Sequence, residues 1–307
     1  MNAKAKGYLL GTVAAASYGM NPLFALPLYE HGMDPDSVLF FRYLLALPVL
    51  GLMIRARGRS FRLRRGEAPL LALFGLLFAL SSLTLFQSYG YMDAGIASTL
   101  LFVYPILVAV IMAVFFRERL SAATAVCILT ALLGIGLLYK GPDGATLSTT
   151  GTLLVMASAL SYAVYIVGIN RTRLKDVATV QVTFYVLLSG LSLFVVRLCS
   201  GAGLQVPDRW YLWGNLIALG VIPTAISLLC TTAAIQYIGS TPTAILGALE
   251  PVTALVFGVA VFGERLTPRD LAGILLILGA VGLVIAGSSV GHALVRLRKM
   301  FPKLRRK

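Results

Sequence analysis

The chain has 307 residues, 58% of them hydrophobic and only 12% charged, with a mean hydropathy of +0.88. Soluble domains carry roughly a quarter of their residues charged, so a water-soluble globule, a disordered chain and a disulfide scaffold are excluded and a polytopic membrane protein remains. The net charge of +14 would also suit a nucleic-acid binder, and the placement of the cations decides against one.

A helix crosses about 30 Å of hydrocarbon with about 20 mostly apolar residues. Ten stretches qualify, at about 7–29, 36–54, 68–90, 95–116, 121–139, 151–170, 178–197, 211–237, 240–262 and 270–289. Period-2 alternation is absent, which excludes an outer-membrane barrel. The first stretch follows Lys4 and Lys6 and contains Ala14-Ala15-Ala16, in the manner of a signal peptide. Its apolar run nevertheless continues through Asn21-Pro22 to Tyr29, so it is read as a span.

Loops rich in Lys and Arg stay in the cytoplasm. With the N-terminus inside, 20 of the 26 cations fall on the inner side: Lys4 and Lys6, the run from Arg55 to Arg65, Arg117 and Arg119, Arg171 to Lys175, and a basic tail from Arg296 to Lys307. Five fall outside, and Arg42 alone lies within a span. This bias predicts ten spans with both termini cytoplasmic. The positive charge then serves topology and attraction to anionic inner-leaflet lipid, with no nucleic acid as partner.

The chain also repeats itself. Gly7-Tyr-Leu9-Leu10 with Ser17-Tyr18 returns as Gly151-Thr-Leu153-Leu154 with Ser161-Tyr162, and Val38-Leu-Phe40-Phe41 as Val182-Thr-Phe184-Tyr185. Further on, Pro105 precedes Glu118-Arg119-Leu120 as Pro251 precedes Glu264-Arg265-Leu266. Two copies of five spans must enter the membrane in opposite directions, because five is odd. The expected architecture is therefore all-α and integral to the membrane: ten helices in two inverted five-helix repeats, 1–145 and 146–290, followed by the tail 291–307. Secondary transporters built this way bind substrate near the midplane between the halves.

The Ser17-Tyr18-Gly19-Met20-Asn21-Pro22 stretch, Arg42 within Phe40-Phe41-Arg42-Tyr43, Leu249-Glu250-Pro251 and the two Pro-x12-Glu-Arg-Leu junctions resemble the drug/metabolite transporter superfamily, specifically its EamA-type exporters. The resemblance covers about residues 7–290. It implies a bacterial inner-membrane permease exporting amino acids, related metabolites or drugs by alternating access, through a central cavity lined by spans 1, 3, 4, 6, 8 and 9. Tyr104 stands where the second copy has Glu250, and Val186 where the first has Arg42, so the site should be asymmetric.

Charge inside a membrane costs about 2.5–3.5 kcal/mol at a helix centre on insertion scales. Arg42 either binds a substrate carboxylate bidentately, snorkels to the headgroups or pairs with a helix carbonyl. Glu250 either binds an amine, carries a proton through the cycle, since taking a carboxylate out of water favours protonation, or hydrogen-bonds a neighbouring helix as a neutral acid. Both together would suit a zwitterion. Pro22, Pro105, Pro223 and Pro251 interrupt spans and are read as hinges or static kinks. Asn21 would offer its amide to substrate or to the carbonyl that Pro22 frees. Tyr18, Phe78, Ser82, Tyr104, Tyr162, Tyr165 and Thr243 complete the expected lining, aromatic faces suiting planar or cationic groups. The pairs Gly7/Gly11 and Gly279/Gly282 are read as close helix contacts.

The chain has no GxxxxGK[ST] loop, so nucleotide hydrolysis is not the expected power source. The three Cys and two His are scattered, and neither a metal nor another cofactor is expected. The partners are a small-molecule substrate, the lipid bilayer and protons as a coupling ion, in a monomer or a homodimer. The alternatives are a passive facilitator of the same solutes and, in another class, a membrane-embedded enzyme or scaffold without transport.

Overall fold

The computed structural model describes residues 3–117, 122–139, 148–238, 243, 246–247, 249–280 and 282–283. Every regular element among them is helical. In chain order they are α1 (Ala3–Gly19), α2 (Asn21–Glu30), α3 (Pro35–Ala56), α4 (Glu67–Ser88), α5 (Ala94–Leu101), α6 (Tyr104–Phe116), α7 (Ala122–Tyr139), α8 (Thr149–Arg171), α9 (Thr179–Arg197), α10 (Trp210–Gly220), α11 (Ser227–Ile238) and α12 (Leu249–Phe262), with a further helix at 268–280. Among the described residues, seven helical stretches are long and apolar enough to cross a membrane: Ala3–Glu30, Pro35–Ala56, Glu67–Ser88, Ala94–Phe116, Thr149–Arg171, Thr179–Gly201 and Trp210–Thr231.

Three of these stretches are interrupted at or just before a proline, unlike the smooth helices that their hydropathy suggests. The first breaks at Met20 before Asn21-Pro22, the fourth at Phe102–Val103 before Tyr104-Pro105, and the seventh passes through a π-helical segment, Val221–Ile226, that contains Pro223. Each proline lacks the amide that would bond the carbonyl four residues back. Neighbours supply the missing donor at two of these breaks. Asn21 Nδ2 donates to the Tyr18 carbonyl at 2.8 Å, and the Thr224 hydroxyl donates to the Leu219 carbonyl at 3.2 Å. At the start of α12 the Glu250 amide takes the Gly247 carbonyl, at 2.9 Å, that Pro251 leaves free. Such repair is what makes a broken helix tolerable where water is scarce.

The body is inside-out relative to a soluble protein. Phe115 is 76% exposed and Leu52 69%, an arrangement that water would penalise and hydrocarbon accepts. Hydroxyls point inward: Ser81 and Ser158 hydrogen-bond across α4 and α8 at 3.0 Å, and Ser227 of α11 donates to the Ala14 carbonyl of α1 at 2.9 Å. Small residues let the backbones approach. A Cβ on Gly75 of α4 would stand 2.7 Å from the Val186 carbonyl of α9, so only glycine permits that crossing. Gly7 and Gly11 pack on Ile238 and Leu246, as expected, whereas Gly279 and Gly282 have no described residue within 4 Å of where a Cβ would sit. That second pair is thus not a close helix contact among the described residues.

The helices of the two chain halves interleave rather than form separate bodies. α1 packs along α11, α4 along α8 and α9, α3 along α9, and α5 against α12. Polar locks mark the two ends of this bundle. At one end, Arg197 meets Asp36 bidentately at 2.5 and 3.0 Å, and Gln205 binds Ser37. At the other, the side chains of Gln181 and Tyr185 donate to the carbonyls of Ser60 and Phe61.

Candidate functional site

The helix breaks surround a cavity of about 330 Å³. Its wall takes Tyr18 from α1, Arg42 and Tyr43 from α3, Phe78 from α4, Tyr104 from α6, and Tyr162 and Tyr165 from α8. Thr183 of α9, Pro223 and Thr224 of the π-helical segment, Ser227 of α11, and Thr243 and Glu250 also line it, with small and aliphatic residues between them. The lining therefore draws on α3 and α9, the expected spans 36–54 and 178–197, as well as on the six that the resemblance implied. These two are repeat-related by sequence, and α3 reaches the cavity because it packs between α9 and α10.

Arg42 is 4% exposed and does not snorkel. Its Nε donates to the Thr224 hydroxyl at 3.2 Å, and its guanidinium lies 5.2 Å from the centre of the Phe86 ring, a cation–π arrangement. Thr224 is the residue that repairs the Pro223 break, so the charge is tied to the interrupted helix. Among the described residues no carboxylate pairs with Arg42. Glu250 lies in the first turn of α12 and lines the cavity half-buried, with no hydrogen bond or ion pair to its carboxyl among the described residues. Tyr18 lies within electrostatic reach of both groups.

The aromatic side chains form a continuous wall. Ring centroids stand 4.7 Å apart for Tyr104 and Tyr162, 5.8 Å for Tyr162 and Tyr165, 5.2 Å for Tyr165 and Phe78, and 6.2 Å for Phe78 and Tyr43. Packed rings of this kind are rigid and present polarisable faces with a few hydroxyls. Of the ten residues expected to line the path, eight meet here: Tyr18, Arg42, Phe78, Tyr104, Tyr162, Tyr165, Thr243 and Glu250.

Two residues stand elsewhere. Ser82 is buried and shares a 2.8 Å hydrogen bond with the Tyr43 hydroxyl, so it orients a lining residue from behind. Asn21 lies in a separate chamber of about 20 Å³ with Pro22, Tyr89, Ser98, Tyr104, Glu250 and Pro251. Its Oδ1 is buried without a partner, and a space of that size holds about one water molecule. Ser17 donates to the Val13 carbonyl of its own helix. Sequence reasoning missed Tyr43, Thr183, Thr224 and Ser227. The available signals were a tyrosine next to the intramembrane arginine and a threonine next to an intramembrane proline.

Of the four predicted hinges, Pro223 lines the main cavity and Pro22 and Pro251 the small chamber, while Pro105 begins α6. Glu264, expected only as a loop residue, reaches across the fold. Its Oε1 accepts from the Ala94 amide at the start of α5 at 2.9 Å, and its Oε2 is buried without a partner. Burial and the nearby Asp93 push this carboxyl above the usual range. Glu118, its partner in the first copy, lies outside the described residues. Among those residues no group of His, Cys, Asp and Glu is arranged to hold a metal ion.

A lipid-facing helical body with a polar cavity at its helix breaks defines a multi-pass membrane transport protein. Comparison with known proteins supplies the family. The EamA-like transporter family matches residues 5–140 and again 149–286. An uncharacterized transporter of Archaeoglobus fulgidus is 31% identical over 252 residues, spanning 81% of this chain and 86% of that protein. The Salmonella typhimurium protein named uncharacterized inner membrane transporter YicL is 26% identical, over 92% of this chain and 96% of its own. A crystal structure at 20% identity shares the fold, with a TM-score of 0.65 over 94% of this chain and 99% of the other. The chain belongs to the EamA-like transporter family.

Proposed function

We propose that this protein is a secondary transporter that exports small zwitterionic metabolites, amino acids or their close relatives, across a bacterial inner membrane by alternating access. In this reading ten spans form two inverted five-helix repeats, 1–145 and 146–290, with both termini in the cytoplasm. The double match to one family supports the duplication. The gathering of Arg59, Arg62, Arg64, Arg65, Arg171 and Arg173 at one end of the bundle supports the orientation through the preference of cations for the cytoplasmic side.

The observation that carries the substrate class is the presence of one guanidinium, Arg42, and one carboxyl, Glu250, on a single cavity with Tyr18 in reach of both. Arg42 holds the solute carboxylate. The tyrosine wall and Glu250 hold the ammonium group, and Glu250 takes up a proton when that group leaves. A volume of about 330 Å³ is at the small end of ligand sites and favours metabolites over bulky drugs. Pro22, Pro105, Pro223 and Pro251 let the halves of their spans tilt.

Thermal unfolding of the purified protein against a panel of amino acids, each paired with its amine lacking the carboxylate and its acid lacking the amine, tests this reading. A zwitterion at 100 times its dissociation constant should stabilise by about 2.7 kcal/mol, and both truncated analogues should lose most of the shift. An amine that stabilises as well as its parent amino acid would overturn the role of Arg42. A hit should then show uptake into proteoliposomes driven by a pH gradient. Uptake indifferent to that gradient would replace antiport with facilitated diffusion.

A further inference from the structure

The end of the bundle away from the Arg197–Asp36 pair carries a second, larger hollow of about 1000 Å³. Six arginines line it: Arg59, Arg62, Arg64 and Arg65 from the segment between α3 and α4, Arg171 from the last turn of α8 and Arg173 from the segment between α8 and α9. Two carboxylates, Glu67 and Asp176, line it as well. Glu67 is occupied, since its Oε2 accepts from the Arg64 backbone amide at 2.9 Å. Among the described residues the one ion pair is Arg197–Asp36, so Arg59, Arg62, Arg64, Arg65 and Arg173 have no carboxylate partner there.

This hollow is built into the fold rather than formed by loose side chains. Gln181 and Tyr185 of α9 clamp the carbonyls of Ser60 and Phe61, and the Phe61 ring packs edge-on against Phe184 at 5.5 Å. On the facing segment, Thr172 caps the short helix Arg173–Asp176, and fully buried Leu174 anchors it among Leu71, Phe74, Val182 and Val186. Gly66, at a φ of +90° that favours glycine, brings the two together: a Cβ there would lie 3.2 Å from an Arg173 guanidinium nitrogen. Six guanidiniums against two carboxylates leave the hollow with an excess of positive charge that an anion would offset. Leu70, Val177 and Ala178 add an apolar stretch to the wall.

We propose that this hollow binds a phosphate-bearing anion, with the arginines of both segments gripping its oxygens bidentately. It lies where α3 and α8, each long enough to cross a membrane, end and where α4 and α9 begin, and its apolar stretch suits the glycerol and first methylenes of an anionic phospholipid. A free phosphate compound shares the headgroup chemistry. The site is separate from the central cavity, and the inference holds whichever solute is carried.

Native mass spectrometry of the full chain, with phosphatidylglycerol or cardiolipin titrated in against phosphatidylethanolamine, tests it. Arg64→Gln combined with Arg173→Gln takes one cation from each segment, both exposed, and leaves most inner cations in place to hold topology. Arg305→Gln with Arg306→Gln removes the same charge from the tail. The pocket pair should weaken binding of one anionic lipid at least tenfold, and the tail pair less than twofold. Arg64→Lys with Arg173→Lys keeps the charge and loses the fork, and should fall between. Equal losses from pocket and tail, or unchanged binding in the pocket pair, would overturn the proposal. A parallel arm adds inorganic pyrophosphate. Its displacing the lipid from the wild type but not altering the pocket pair supports the site with a soluble phosphate as a second source, whereas displacement that is the same in both would overturn it.

Discussion

The helix restarts at Tyr104-Pro105 and at Glu250-Pro251 occupy matching places in the two halves of the chain and share a backbone device. Each lies at the start of a helix, and each puts the residue before the proline on the central cavity. Their side chains differ in kind. Tyr104 is packed among Phe102 and Tyr162, at 5.9 and 4.7 Å between ring centroids, and belongs to a rigid wall. Glu250 has its backbone pressed against Gly19, where a Cβ would lie 2.4 Å from the Glu250 carbonyl oxygen, while its carboxyl is left for the cavity. Two helices thus begin beside the cavity, and only the later one puts an ionisable group there. The same asymmetry separates Arg42, on the cavity, from Val186, which is buried in an apolar cluster.

The largest expected effect comes from exchanging those two side chains for isosteres. Glu250→Gln should lower pH-gradient-driven solute flux in proteoliposomes at least tenfold, whereas Tyr104→Phe, which keeps the ring packing, should lower it less than threefold. Equal losses would mean that the two restarts do one job. Next in size is Gly19→Ala. Its methyl group meets backbone rather than a flexible side chain, so overpacking should cost about 1–3 kcal/mol, read as a lowered unfolding temperature in detergent. Gly279→Ala, with no described neighbour within 4 Å, should be neutral or slightly stabilising, as expected for glycine replaced in a helix. A Gly19 variant as stable as the Gly279 one would show that the contact between spans is loose.

The smallest effect concerns Glu264, which follows α12 and reaches the start of α5, just ahead of the Tyr104 break. Burial and Asp93 raise this carboxyl, so its contribution to stability is fully present below the ordinary carboxylate range and is lost as pH rises through the raised value. The unfolding temperature of the wild type relative to Glu264→Gln should therefore fall as pH rises above 4.5. The shift should be modest, because the group is only half-buried. A constant difference across that range would remove Glu264 as the titrating link between the two restarts.

Much of this was legible in one dimension. Apolar stretches predicted where helices run, because hydrocarbon leaves the backbone no partner but itself. Arg42 and Glu250 stood out because charge is rare in such stretches, and both reach the cavity. What the residues could not disclose was side-chain direction. Ser82 and Tyr162 look alike on a hydropathy scale, yet one sits behind the wall and the other forms it. Nor was the repair of the Pro22 and Pro223 breaks by Asn21 and Thr224 readable, since each amide and hydroxyl had several carbonyls in range. Gly279 and Gly282 match Gly7 and Gly11 in composition, but a small residue makes a close contact only where another backbone comes to meet it.

By itself the sequence determined a helical membrane protein with an uneven distribution of cations and two related halves, because composition and period are sums over neighbours along the chain. The tertiary structure decided that the halves interleave, that eight of ten suspected residues share one cavity, and that arginines from two distant loops face one hollow. Those outcomes depend on which helix faces pack, and packing is set by contacts between residues far apart in sequence, such as Gly75 with Val186 and Arg42 with Thr224.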